Sequence, residues 1–85
     1  MSYRGTLTPR AERDLRRLPA DVSRRVIAAL MELQDNPRPR GSRKLAGSDE
    51  WRVRVGDYRV LYRVDDSSHQ FTVTRIAHRR DVYRP

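Results

Sequence analysis

Six side chains carry the chemistry open to this sequence: Arg52, Arg54, Arg59, His78, Arg79 and Tyr83. Arginine presents a fixed fork of donors and stays protonated at any working pH. It therefore binds phosphate oxygens and stabilises charge growing on them, and it is a poor general base. Tyrosine can stack on a nucleobase or exchange a proton, and histidine titrates near neutrality. Together these groups suit attack of an RNA 2′-hydroxyl on the adjacent phosphate without a metal. One group takes the 2′ proton, the arginines stabilise the dianionic transition state, and one group protonates the leaving 5′ oxygen. No carboxylate stands out as the base, since Asp57 falls in a turn and Asp81 in the tail, where both read as structural. His78 also suits a surface or capping role, and Tyr83 a ring packed on the sheet. Two histidines, no cysteine and no clustered carboxylates predict neither metal nor cofactor.

The arginines are placed by the segment Trp51–Val64, WRVRVGDYRVLYRV. Trp51, Val53 and Val55 alternate with Arg52 and Arg54, and Tyr58, Val60, Tyr62 and Val64 alternate with Arg59, Leu61 and Arg63. Strict alternation marks a strand, and the Gly56-Asp57 link between two such runs marks a hairpin. Val55 then pairs with Tyr58, Arg54 with Arg59 and Val53 with Val60. Like charges directly opposite one another destabilise a sheet, so the Arg54/Arg59 pair suits an anion, and its geometry fits phosphate. By the same parity Trp51, Tyr58 and Tyr62 belong to the core and are not stacking platforms.

Charge supports an anionic partner. The formal net charge is +8 and the sequence pI about 11.2. Residues 1–37 hold 7 basic and 5 acidic side chains, residues 38–64 hold 8 and 3, and residues 65–85 hold 4 and 3, so the excess lies in the middle third. That is the footprint of a nucleic-acid or acidic-peptide partner, although a solvated face in an arginine-biased sequence would look similar. Within it the loop 38–50 carries Arg38, Arg40, Arg43 and Lys44, which are candidate RNA-backbone contacts together with Arg80. Arg84 is either solvated or a partner contact. At 85 residues one domain, 1–85, is expected, with a small core. No apolar run approaches membrane-spanning length and no secretory pattern opens the chain, so a cytoplasmic protein with no membrane partner is expected.

The remaining elements must support that hairpin. Ser2 to Leu7 reads as a short strand. Thr8-Pro9 is a helix start, with threonine as N-cap and proline at the first helical position. Ala11, Leu15 and Leu18 form one apolar stripe, and Val22, Val26, Ala29, Leu30 and Leu33 form another that ends at Asn36-Pro37. Asp65-Asp66-Ser67-Ser68 is a turn and His69 to Ala77 a last strand. A four-residue turn there pairs Val60 with Val73, Tyr62 with Phe71 and Arg59 with Thr74, and places Ile76 and His78 on the arginine side. The predicted fold class is α+β, in the order β-α-α-β-β-β. A helical hairpin covers one face of a small, mostly antiparallel sheet and leaves the arginine face open.

The stretch LAGSDEWRVRVGDYRVLYRVDD followed by RIAHRRDVYR resembles the RelE/ParE superfamily of bacterial toxins, nearest its RelE-like branch, and the likeness spans nearly the whole chain. The resemblance implies the RelE-like toxin fold and a type II toxin–antitoxin module. The partner would be an acidic antitoxin, joined in a heterodimer or heterotetramer. RelE-like members are metal-independent endoribonucleases that cleave mRNA in the ribosomal A site, whereas ParE-like members share the fold and poison DNA gyrase. A catalytically weak, antitoxin-binding domain is the further alternative. The family's two lysines on the first hairpin strand fall at Arg52 and Arg54. Its second-strand arginine falls at Arg59, its arginine after the last strand at Arg79, and its tail tyrosine at Tyr83. Arginine in place of lysine removes a group that can lose a proton. That leaves His78 and Tyr83 as proton-transfer candidates, with Arg59 and Arg79 as phosphate clamps.

Overall fold

The computed structural model describes residues 2–83, so Arg84 lies outside the described residues. Strand β1 (Arg4–Leu7) leads into α1 (Pro9–Arg16) and α2 (Ala20–Asp35). These are followed by β2 (Arg43–Lys44), β3 (Glu50–Val55), β4 (Tyr58–Asp65) and β5 (Gln70–His78). The five strands form one sheet in the order β1-β5-β4-β3-β2, antiparallel except for β1 beside β5. This is the expected α+β architecture with one addition. Two residues of the basic loop form β2, with Arg43 opposite Arg52 and Lys44 opposite Trp51.

The helices start and stop for local reasons. Thr8 caps α1, its hydroxyl accepting the Ala11 N–H at 3.2 Å, and Pro9 opens the helix where its missing N–H costs nothing. The second helix ends at Asn36, whose extended backbone (φ −149°, ψ 105°) is what the following Pro37 requires. Ala11, Val26 and Leu33 on the helices are buried against Val55, Val60, Tyr62, Phe71, Val73 and Ile76 of the sheet. Gly5 lies opposite Phe71, and the ring occupies the space that a side chain at residue 5 would need.

The β3–β4 register is the one predicted, with Val55 opposite Tyr58, Arg54 opposite Arg59 and Val53 opposite Val60. The β4–β5 register differs. The turn closes one residue later than expected, through a His69 in the left-handed region (φ 53°), and Asp65 Oδ1 accepts the N–H groups of Ser67 and Ser68. Tyr62 therefore faces Val73, and Val64 faces Phe71. A β-bulge follows: Leu61 pairs with Arg75, leaving Thr74 as the extra residue, and Val60 pairs with Ile76. Ile76 and His78 thus lie on the core side, not the arginine side, and Arg59 faces Ala77 and not Thr74.

The spacing Phe71, Val73, Ile76 explains the bulge. All three can point inward only if the strand absorbs one extra residue before Ile76. Burying an isoleucine contributes about 1.5–3 kcal/mol. An interrupted ladder hydrogen bond costs roughly 1 kcal/mol. Here the freed Ile76 N–H is also repaired, because it donates to Asp14 Oδ2 at 2.9 Å.

Candidate active site

The sheet face away from the helices carries cross-strand rows set by the registers above. One row is Arg54–Arg59–Ala77 and the next is Arg43–Arg52–Leu61–Arg75. Arg59 Nη1 donates to the carbonyls of Gly56 (3.1 Å) and Tyr58 (3.0 Å), which turns the guanidinium towards the hairpin end. Partial burial, then the positive charges of Arg54 and Arg52, pull the Arg59 pKa below its ordinary value. Arg79 acts in the same direction, and Tyr83 opposes it. The hairpin register puts Arg52, Arg54 and Arg59 on one face of the sheet, and the tail carries Arg79 and Tyr83. An arginine remains charged after such a shift, so the cluster is a patch of concentrated positive potential. Arg52 Nε and Arg75 Nε are buried without a hydrogen-bond partner among the described residues.

The tail reaches this face through a short hydrogen-bonded turn. Asp81 N–H and Val82 N–H both donate to the His78 carbonyl, at 2.8 and 3.0 Å, and Arg79 N–H donates to the Asp57 carbonyl at 2.8 Å. Arg75 Nη2 holds the Asp81 carbonyl at 2.8 Å. Val82 is 2% exposed and Leu61 6%, yet neither belongs to the main core. Both line a groove of about 540 Å³ on the arginine side, together with Glu50, Arg75 and Tyr83. The face expected to be open is therefore partly roofed by the tail. Val82 anchors the roof, and the Tyr83 ring, 58% exposed, stays accessible.

His78 does not join the cluster. Its ring meets Tyr58 edge-on at 5.4 Å, on the other side of the strand from Arg59, and its Nδ1 accepts the Arg80 N–H at 3.2 Å. The bulge is the cause. Arg80 itself is exposed.

The basic loop divides. Arg40 and Arg43 line a depression of about 320 Å³ with Arg52 and Arg54, next to the cluster. Arg38 points elsewhere: it grips Asp66 with two nitrogens at 3.1 and 2.9 Å and lies 5.1 Å from the centre of the Trp51 ring. The Tyr3 hydroxyl also donates to Asp66, at 2.7 Å, and these two donors hold the Asp66 carboxyl at about 2. Lys44, opposite Trp51, lines a separate depression with Arg38 and Asp49. Trp51 is half-buried, while Tyr62 is fully buried, its hydroxyl bound to the Pro37 carbonyl at 2.7 Å.

Two residues on the arginine side escaped the sequence reading. Arg75 would have pointed into the core under the predicted register, and a cation at a core position is itself a sign that alternation breaks there. Glu50 begins β3 with the same parity as Arg52 and Arg54, and its carboxylate accepts a hydrogen bond from the Thr74 hydroxyl.

With that geometry in place, the relatives are informative. Residues 6–83 match the family described as the ParE toxin of the parDE type II toxin–antitoxin system. Toxin RelG of Mycobacterium tuberculosis is 38% identical, the match covering 99% of both chains. Toxin RelE of the same organism is 35% identical over 96% of this chain and 87% of its own. Among solved structures, the Pyrococcus horikoshii RelE–RelB complex contains a chain with TM-score 0.84 and 30% identity, covering 96% of this chain and all of that one. The M. tuberculosis RelBE2 complex gives TM-score 0.82 at 31% identity, covering 92% and 99%. This chain belongs to the RelE/ParE superfamily of type II toxin–antitoxin toxins and is related to RelE.

Proposed function

We propose that this toxin is an endoribonuclease that cleaves mRNA on the ribosome through attack of a 2′-hydroxyl on the scissile phosphate. The observation that carries the reading is Arg54 opposite Arg59 with Arg52 on the same hairpin face, to which the tail turn adds Arg79 at the Asp57 end and Tyr83 in the groove beside Leu61 and Arg75. Arg59 and Arg79 act as clamps on the scissile phosphate, and Arg52 and Arg54 neutralise charge beside it. The 2′ oxygen bonds to phosphorus and gives up its proton, the bond to the 5′ oxygen breaks, and that oxygen is protonated. The products are a 2′,3′-cyclic phosphate and a 5′-hydroxyl. Arginine cannot serve as the base. His78 faces away, so proton exchange falls to the accessible Tyr83 hydroxyl. The arginines supply what the transition state needs without a metal, preorganised positive charge at the growing dianion. Arg40 and Arg43, with Arg80 at the tail, extend the contact along the RNA backbone, whereas Lys44 stands apart with Arg38.

RelE chains among the structural relatives were solved in complex with RelB antitoxins. An acidic antitoxin covering the arginine face is the partner that charge complementarity favours. A second reading, a toxin acting on DNA gyrase, draws support from the family description and from the absence of lysine at residues 52 and 54. The two separate in one experiment, the mapping of mRNA 5′ ends after brief expression in cells. Cuts within translated codons that disappear in Arg79→Ala support the nuclease. Intact mRNA with double-strand DNA breaks supports the gyrase reading.

A further inference from the structure

The bulge in β5 is held from the far side of the sheet. Thr8 N–H donates to the Val73 carbonyl at 2.9 Å, and the Thr8 hydroxyl reaches the Thr74 carbonyl at 3.3 Å. Asp14, on the face of α1 packed along β5, accepts the Ile76 N–H at 2.9 Å. Val73, Thr74 and Ile76 of the bulged strand thus meet partners from Thr8, the cap of α1, and from Asp14 within it. On the other face, the Thr74 hydroxyl engages Glu50 and lies 3.3 Å from the Leu61 carbonyl.

We infer that Asp14 is a positioning residue for Arg79 and Tyr83, acting through the bulge. The inference rests on the nuclease reading only for its effect on activity. Pairing Ile76 N–H with Asp14 stabilises the extra residue, and the extra residue places Arg75 on the arginine side. Arg75 then reaches the Asp81 carbonyl and closes the tail turn. That turn buries Val82 and sets Tyr83 in the groove beside Leu61 and Arg75. Without the acceptor at residue 14, the strand either keeps a buried unpaired N–H or loses the bulge. Losing it would turn Ile76 outward and Arg75 into the core. Either outcome loosens residues 74–82 and leaves the Arg54/Arg59 hairpin as it is.

The test compares the wild type with Asp14→Ala and Asp14→Asn, the last keeping an acceptor oxygen. Hydrogen exchange at the amides of Ile76, Arg79 and Val82 is read beside hairpin amides of β3 and β4. Asp14→Ala is expected to speed exchange at the three tail-side amides alone, and Asp14→Asn to restore protection. A displacement near 1 Å costs on the order of 10²-fold, so kcat should fall by about 10- to 100-fold in Asp14→Ala, with KM little changed and recovery in Asp14→Asn. Wild-type protection of the tail in Asp14→Ala would overturn the inference. Should Asp14→Ala fail to fold, Arg75→Gln tests the next link. It should free Arg79 and Val82 while Ile76 stays protected, and an unchanged tail would refute the chain of contacts. If the wild type cleaves no RNA, the nuclease reading fails, and the exchange data still decide the role of Asp14.

Discussion

Replacing Arg59 with alanine should remove activity while leaving stability nearly unchanged. Arg59 faces Arg54 directly across the hairpin, with Arg52 and Arg79 further off. Two unit charges about 6 Å apart in water repel by about 0.7 kcal/mol, so the three neighbours together contribute roughly 1–1.5 kcal/mol before screening. Solvent exposure and salt, with a Debye length of about 8 Å at physiological ionic strength, bring this below about 1 kcal/mol. Against it stand the two hydrogen bonds from Nη1 to the Gly56 and Tyr58 carbonyls, worth roughly 0.5 kcal/mol each at a solvated site. The terms nearly cancel. Arg59→Ala should therefore unfold at a urea concentration close to wild type, with a small gain at low salt that vanishes at high salt. Removing one well-placed transition-state donor lowers rate by about 10²–10³-fold, so cleavage should be nearly lost in the same protein. The assay pairs urea denaturation at two salt concentrations with cleavage of mRNA on programmed ribosomes. A salt-independent stability loss greater than about 1 kcal/mol would refute the reasoning, because it would make Arg59 a structural residue. Full cleavage by the variant would refute the phosphate clamp.

The clasp of Arg38 and Tyr3 on Asp66 predicts a specific pH dependence. A depressed carboxyl pKa contributes stability that is present above the unfolded value of 3.8 and is lost as pH falls to about 2. Asp66→Asn should be less stable than wild type at neutral pH, and thermal melts should show the two converging across that acid window. Gly5→Ala should destabilise the fold by about 1–3 kcal/mol in urea titrations, the usual cost of overpacking. Its β-carbon would come 2.9 Å from Phe71 Cε2 and nearer still to Cζ, against a ring that is 2% exposed. Arg40→Ala and Arg43→Ala should each raise KM, leave kcat near wild type, and flatten the salt dependence of RNA binding by close to one counterion, about 0.7 in slope for a single strand. An unchanged slope would remove these residues from the RNA path.

The β3–β4 hairpin was legible from sequence because its information is local. Alternation of period two fixes which side chains share a face, and Gly56, at φ 59°, supplies the left-handed residue that a tight link needs. The Arg54/Arg59 pair and the Thr8-Pro9 helix start needed nothing beyond neighbouring residues. The last strand was different. Its bulge at Thr74 follows from a requirement of the whole core, that Phe71, Val73 and Ile76 all be buried, and from an acceptor on α1, 62 residues away in sequence, that satisfies the freed Ile76 N–H. Period two cannot register an inserted residue. It assigned Ile76 and His78 to the arginine side, and both are reversed. Arg38 shows the same limit, since only the folded chain brings Asp66 and the Trp51 ring within its reach. Sequence alone determined which residues carry charge and which strands pair locally. Tertiary packing decided which face the last strand presents, and with it which groups stand beside the scissile phosphate in the proposed reaction.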